Sequence, residues 1–248
     1  MRDLHSLRAL AERGRVLTGR PRAAGGPWYR IGAADDGEAP GRTKVYLYGE
    51  IGGWWDGIDA NQFVRDLDAI GDSGIDLHIN SGGGSVFDGI AIYAALKNHA
   101  SDVTARVDSL AASAASFIAM AGDSIEIEKP GRMMIHDAQG LALGNAADMR
   151  TMADLLDELS DTIAEIYADR AGGKAADWRA EMLTDGGLGR WYTATQAVEA
   201  GLADKIVGAD SKKDDGADSG ADEADAPVED RATQLIRARA RATLRGGR

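Results

Sequence analysis

The sequence predicts an α/β fold on a mostly parallel sheet, and three observations carry that expectation. Short runs of β-branched, aliphatic and aromatic residues recur along the middle of the chain, at residues 44–48 (KVYLY), 75–79 (IDLHI), 103–107 (VTARV) and 124–128 (SIEIE). The first three are each followed by a stretch with helical apolar spacing or helix-forming composition. Glycine-rich segments, above all 49–57 and 80–85, separate the two kinds of element. Strands alternating with helices assemble into parallel sheets, and such sheets carry their sites at the carboxyl ends of strands.

Taken in order, residues 1–43 are rich in Arg, Ala, Gly and Pro, with weak periodicity, and are expected to form a flexible leader with one short strand at 28–31. A compact domain is expected over 44–208. Phe63, Leu67 and Ile70 give 58–70 a helical stripe, and a second helix is expected from Val86 to about His99. Residues 108–122 (DSLAASAASFIAMAG) are small and apolar, with almost no charge, and read as a buried helix that Ser109 could cap. Pro130 and Gly131 turn the chain into a short strand ending at His136. The longest helix spans 145–170, where Met149, Met152, Leu155, Leu159, Ile163 and Ile166 form one stripe. Asn145 caps its start and Gly172 its end. A helix follows at 174–183, a flexible GGLG insertion at 186–189, a strand at 191–193, a short helix at 194–200 and a last strand at 205–207. Residues 209–230 hold nine Asp/Glu against two Lys and are expected to be a disordered acidic linker. Residues 231–248, with six Arg and no acid, form a basic tail.

Composition limits the function. The formal charge of −12 argues against a nucleic-acid binder, at least for the core domain. The absence of cysteine excludes disulfides and thiolate metal sites and suits an intracellular, cytoplasmic setting. No stretch reaches the roughly 18 apolar residues of a membrane span, and the Arg-interrupted N-terminus is no secretory signal. No metal or cofactor is called for.

Serines on a buried segment need partners, and one use for such a hydroxyl is as a nucleophile at a helix start, beside backbone N–H groups. Ser109, Ser113 and Ser116 all compete for that role, and composition does not choose among them. Residues 80–85 (NSGGGS) would let a backbone approach a ligand closely; they lack the Lys-Ser/Thr of a phosphate loop. Of the four histidines, His5 lies in the leader, His78 sits in a strand beside Asp76, and His99 ends a helix. His136 ends an apolar strand and is followed by a loop, a placement that suits a base as well as a structural residue.

These segments together resemble the ClpP family of serine peptidases over about residues 44–208. The pieces come in family order: INSGGG at 79–84, AAS at 111–113 followed by small residues to Gly122, MIH at 134–136, a long helix, then WYTATQAVEAGLAD at 191–204. The resemblance implies a ClpP/crotonase-like fold of repeated ββα-type units, with a projecting handle helix at 145–170. It places the nucleophile on Ser113, the general base on His136, and the oxyanion donors on the N–H groups of Gly84 and Ala114, with Gly83 shaping that loop. Ser116 falls on a position with no catalytic role. The family's acid stands two residues before the aromatic matched by Trp191, and that position is Gly189. Asp185, just before the GGLG insertion, is the carboxylate expected in its place. Asp177, Asp204, or a Ser–His dyad oriented by a carbonyl or water are the other readings. The chain is expected to act on polypeptides as a ring-forming homo-oligomer.

Gly82 where the family usually has Pro, the YGEIGGWW opening at 48–55, the leader and the charged tail resemble the head maturation proteases of tailed phages. Their substrates are scaffold, capsid precursor and themselves, inside a procapsid. The alternatives are a housekeeping ClpP subunit fed by an ATPase, a crotonase-type acyl-CoA enzyme, and a catalytically impaired capsid component.

Overall fold

Eight strands join into one sheet among residues 29–32, 42–52 and 60–208, which the computed structural model describes. β1 (Tyr29–Ile31) lies antiparallel on β2 (Arg42–Ile51). From β2 the sheet continues in parallel through β3 (Gly74–Gly84), β4 (Val103–Ala112) and β5 (Ser124–Glu128). The far end of β4 also pairs in parallel with β6 (Arg132–Ile135), which pairs antiparallel with β7 (Arg190–Thr193). β8 (Lys205–Val207) closes the main path beside β5. The helices are α1 (Ala60–Asp68), α2 (Val86–Lys97), α3 (Ala114–Ala119), α4 (Ala146–Ala171), α5 (Ala175–Met182) and α6 (Ala194–Glu199). Of the leader expected over 1–43, residues 1–28 and 33–41 lie outside the described residues, as do the loop at 53–59, the acidic linker and the basic tail.

Period-two burial builds the core. Along β3 every second side chain is buried, with Ile75, Leu77, Ile79 and Ser81 inward and Asp76, His78 and Asn80 outward. The inward rows of β2 to β5 meet Phe63 and Leu67 of α1, Ile92 and Leu96 of α2, and Phe117 and Ile118 of α3. On the outward face His78 stacks on Tyr46, with 4.9 Å between ring centroids, and pairs with Asp108 at 3.0 Å. Tyr48 also donates to Asp108. His78 is thus a satisfied structural histidine, with Asp108 rather than its neighbour Asp76 as partner.

Two expectations about local structure are corrected. Residues 80–84 are strand, not a free turn, because Glu50 and Ile51 pair with Gly83 and Gly84 on one side and Ala111 with Ser81 on the other. Residues 108–112 are also strand rather than the start of a buried helix. Their backbone groups are taken up by β3 and β6, and that pairing outweighs the helical preference of their Leu and Ala residues. Helix α3 is only six residues long. Ser109 is exposed on β4 and caps nothing, while Ser113 takes the N-cap position of α3.

Helix α4 begins as the sequence predicts, with Asn145 and Asp148 forming a reciprocal capping box, and stops at Gly172. Its apolar stripe divides. Ile163, Ala164, Ile166 and Tyr167 are buried, whereas Met149 and Leu155 are exposed, so the N-terminal half projects from the core.

Candidate active site

Strand register brings Ser113 and His136 together. Ala112, the last residue of β4, lies opposite Met134 of β6. One step beyond the first and two beyond the second place the two side chains side by side, with Ser113 Oγ 2.7 Å from His136 Nε2. With the imidazole protonated on Nδ1, the hydroxyl donates to Nε2, the arrangement a general base needs before taking the proton.

Ser113 holds an unusual backbone, φ 55° and ψ −129°, at the abrupt change from strand to helix. A non-glycine residue there costs about 1–3 kcal/mol. Its N–H donates to Met134 O at 2.9 Å, and its carbonyl accepts from Ser116 N at 2.9 Å and Ser116 Oγ at 2.6 Å. Hydrogen bonds worth roughly 1 kcal/mol each are enough to hold that conformation. The strained turn leaves Ala114 as the first residue of α3, whose N–H has no acceptor within the helix.

Gly83 and Gly84 press against this turn from β3. A Cβ on Gly83 would lie 2.5 Å from Ser113 Cβ and 2.8 Å from Ala114 N, and one on Gly84 would lie 2.0 Å from Ile51 O. Only glycine permits that approach. Gly83 N–H is occupied by Ser81 Oγ at 3.1 Å, and Ser81 Oγ itself donates to Gly49 O at 2.5 Å. The buried hydroxyl of Ser81 therefore shapes the loop, a role the sequence alone did not single out.

His136 is half-buried. Burial pushes its imidazole below the usual histidine value, partly offset by the adjoining backbone and carboxylate of Asp137. Among the described residues no carboxylate accepts from its buried Nδ1, and the group beside it is the Asp137 backbone. Asp185, the carboxylate expected to orient it, sits exposed in the turn at 184–187 with φ 54° and makes no hydrogen bond to Nδ1. Asp204 accepts from Ile125 N and Arg170, tying β8 to β5, and Asp177 is exposed in the first turn of α5. Gly189, at the position that matches the family's acid, packs against His136. A Cβ there would fall 2.0 Å from Ile135 O and 2.4 Å from His136 Cβ. Among the described residues no group of acids and histidines is arranged to hold a metal, and no helix is long and apolar enough to cross a membrane.

Behind Ser113, Ser116 Oγ also bonds Tyr167 Oη at 2.8 Å, with both residues fully buried. Burial raises the Tyr167 phenol well above its ordinary value, so it stays protonated. Removing Ser116 strands a buried phenol, whereas removing the phenol leaves Ser116 bonded to Ser113 O. We therefore expect Ser116→Ala to destabilise the fold by about 1–3 kcal/mol and Tyr167→Phe by about 1 kcal/mol, read from chemical unfolding midpoints. The reverse order would show that this link does not support the turn.

A strained serine at a strand–helix junction, a histidine within hydrogen-bond reach and glycines pressed against the turn are the features of the class of serine-nucleophile sites on an α/β sheet. The chain belongs to the Clp protease family, whose model matches residues 52–210. It is 34% identical over 132 residues to the ATP-dependent Clp protease proteolytic subunit 1 of Leifsonia xyli subsp. xyli, covering 52% of this chain and 65% of that protein. It is 34% identical over 136 residues to proteolytic subunit 3 of Streptomyces coelicolor, covering 54% and 60%. With the proteolytic subunit of Bacteroides fragilis it shares 33% over 135 residues, covering 54% and 63%. The chain thus spans a little under two thirds of the length of the curated relatives it matches.

Proposed function

We propose that this protein is a serine endopeptidase in which Ser113 attacks the peptide carbonyl. His136 takes the hydroxyl proton through Nε2 and returns it to the leaving amine. The N–H groups of Gly84 and Ala114 receive the oxyanion. The 2.7 Å contact between Ser113 Oγ and His136 Nε2 carries this reading. Asp185 supplies the third member only if the turn at 184–187 rearranges; otherwise the pair works as a dyad. A fluorophosphonate probe tests the proposal. It should label wild type at Ser113 and leave Ser113→Ala unlabelled, and a wild type that resists labelling sinks the peptidase reading.

The acid limb of the labelling rate gives a second check. The base acts only when neutral, and burial favours the neutral form. The limb should therefore fall below pH ~6.5, the ordinary histidine value. A midpoint clearly above that value would mean that a nearby anion governs His136.

For the biological role we favour a phage-type head maturation protease acting as a homo-oligomer on scaffold and capsid precursor. This rests on the charge blocks at 209–230 and 231–248 and on Gly82 in the loop before the oxyanion donors. Co-expression with a neighbouring capsid gene tests it: precursor should persist only with Ser113→Ala. The second reading, a subunit fed by an ATPase, is favoured by the relatives' designation as ATP-dependent proteolytic subunits. Identical capsid processing in wild type and Ser113→Ala would leave that role in its place.

A further inference from the structure

The segment that follows the catalytic histidine is fastened to the long helix by one saturated arginine. Arg179 of α5 donates from Nε to Asp137 Oδ1 at 2.7 Å and from Nη2 to Asp137 Oδ2 at 3.0 Å. The same guanidinium reaches Asp157 Oδ1 at 2.7 Å, Asp157 O at 3.2 Å and Asp161 Oδ1 at 2.5 Å on α4. A guanidinium has five N–H donors, and these five contacts use all of them. The fork on Asp137 is the sheltered part: the Arg179 and Asp137 side chains are 16% and 17% exposed, against 70% for Asp157 and 67% for Asp161. One residue further on, Ala138 N–H donates at 2.9 Å to Ser160 Oγ, which is fully buried in α4. Residues 137 and 138 are therefore pinned to α4 on both sides of a peptide bond, directly after His136.

We infer that Arg179 is a positioning residue for the base. By clamping Asp137 to α4 it fixes the angle at which His136 presents Nε2 to Ser113, in place of a carboxylate at Nδ1. A triad acid orients its histidine by accepting from Nδ1. Here no described carboxylate accepts from Nδ1; the group beside the ring is the Asp137 backbone, and that is the segment the clamp holds. The clamp also sets the charge around the imidazole. Asp137 is the anion that favours the protonated base, and Arg179 neutralises it, with Asp157 and Asp161 behind and the Ser113 hydroxyl in front. The inference rests on the peptidase reading for its kinetic consequence, but not for its geometry.

The test uses the full-length chain and the rate of Ser113 labelling by the fluorophosphonate probe across pH. Arg179→Gln and Asp137→Asn should each slow labelling at neutral pH by about tenfold or more, since misplacing a catalytic group by about 1 Å costs on the order of 10²-fold. Their acid limbs should move in opposite directions. Loss of the cation leaves Asp137 unshielded and raises the histidine's proton affinity; loss of the carboxylate lowers it. Arg179→Lys, with a point charge in place of the fork, should recover only part of the rate. A residue that merely stabilised the fold would not give shifts of opposite sign. Wild-type rates and unmoved limbs in both variants would overturn the inference.

Two further measurements keep the test open. If either variant fails to fold, Asp161→Ala removes one exposed contact, and it should slow labelling in the same direction but less; an unchanged rate counts against the clamp. If wild type itself does not label, the peptidase reading fails. The His136 imidazole titration followed by NMR then still decides the clamp, by the same opposite displacements in Arg179→Gln and Asp137→Asn.

Discussion

Replacing Ser113 by alanine should lower peptide hydrolysis by about 10⁴- to 10⁶-fold, the range seen when a serine nucleophile is removed from a site whose other parts remain. The fold should survive. Among the described residues Ser113 Oγ bonds only His136 Nε2, and the bonds that hold the turn come from its backbone and from Ser116. Alanine can keep the same φ at similar strain. His136→Ala should cost nearly as much, and the double variant little more than either single one, because nucleophile and base act as one unit. Hydrolysis of a fluorogenic peptide, with thermal unfolding as a control, checks both. Residual activity within tenfold of wild type would exclude Ser113 as the nucleophile.

The second large effect is expected at Gly189. Its φ of +86° already disfavours a side chain, but the contacts decide the outcome. A Cβ would meet Ile135 O at 2.0 Å and His136 Cβ at 2.4 Å, and neither atom belongs to the flexible end of a side chain. Gly187 provides the control. It lies in the same connection with φ +87°, and a Cβ there would have open space, with nothing within 4 Å. Gly187→Ala should therefore cost only the backbone strain, about 1–2 kcal/mol, with activity preserved. Gly189→Ala should cost more and also displace the base, so that activity falls by roughly 10²-fold or more at temperatures where the variant is still folded. Thermal melts paired with labelling kinetics separate the two losses. Equal effects at both glycines would show that His136 tolerates the push. The same clash argues that an aspartate cannot simply be restored at 189, since its Cβ would need the same space.

Much of the architecture was legible in the residues. Alternating burial along residues 75–79, the three-and-four spacing of Phe63, Leu67 and Ile70, and the Asn145 cap are local signals, and the structure follows them. Where the sequence misled, tertiary pairing was stronger than local preference. Residues 108–112 have a helix-forming composition yet lie in strand, because β3 and β6 flank them and supply partners for their backbone. Arg179 and Asp137 are 42 residues apart, and Tyr167 and Ser116 are 51 apart; no pattern in the chain joins either pair.

By itself the sequence determined the order of strands and helices, the glycines that bring β3 against the nucleophile's turn, and Ser113 and His136 as the residues matching the family's nucleophile and base. Those features depend on side-chain size, polarity and spacing, which are written in the chain. The 2.7 Å meeting of Ser113 and His136, the strained φ at Ser113, the Nδ1 that no described carboxylate meets and the arginine clamp behind the base were decided only by tertiary structure. Each depends on parallel register and helix packing, which bring together atoms from elements far apart along the chain, at tolerances of tenths of an ångström that no local pattern specifies.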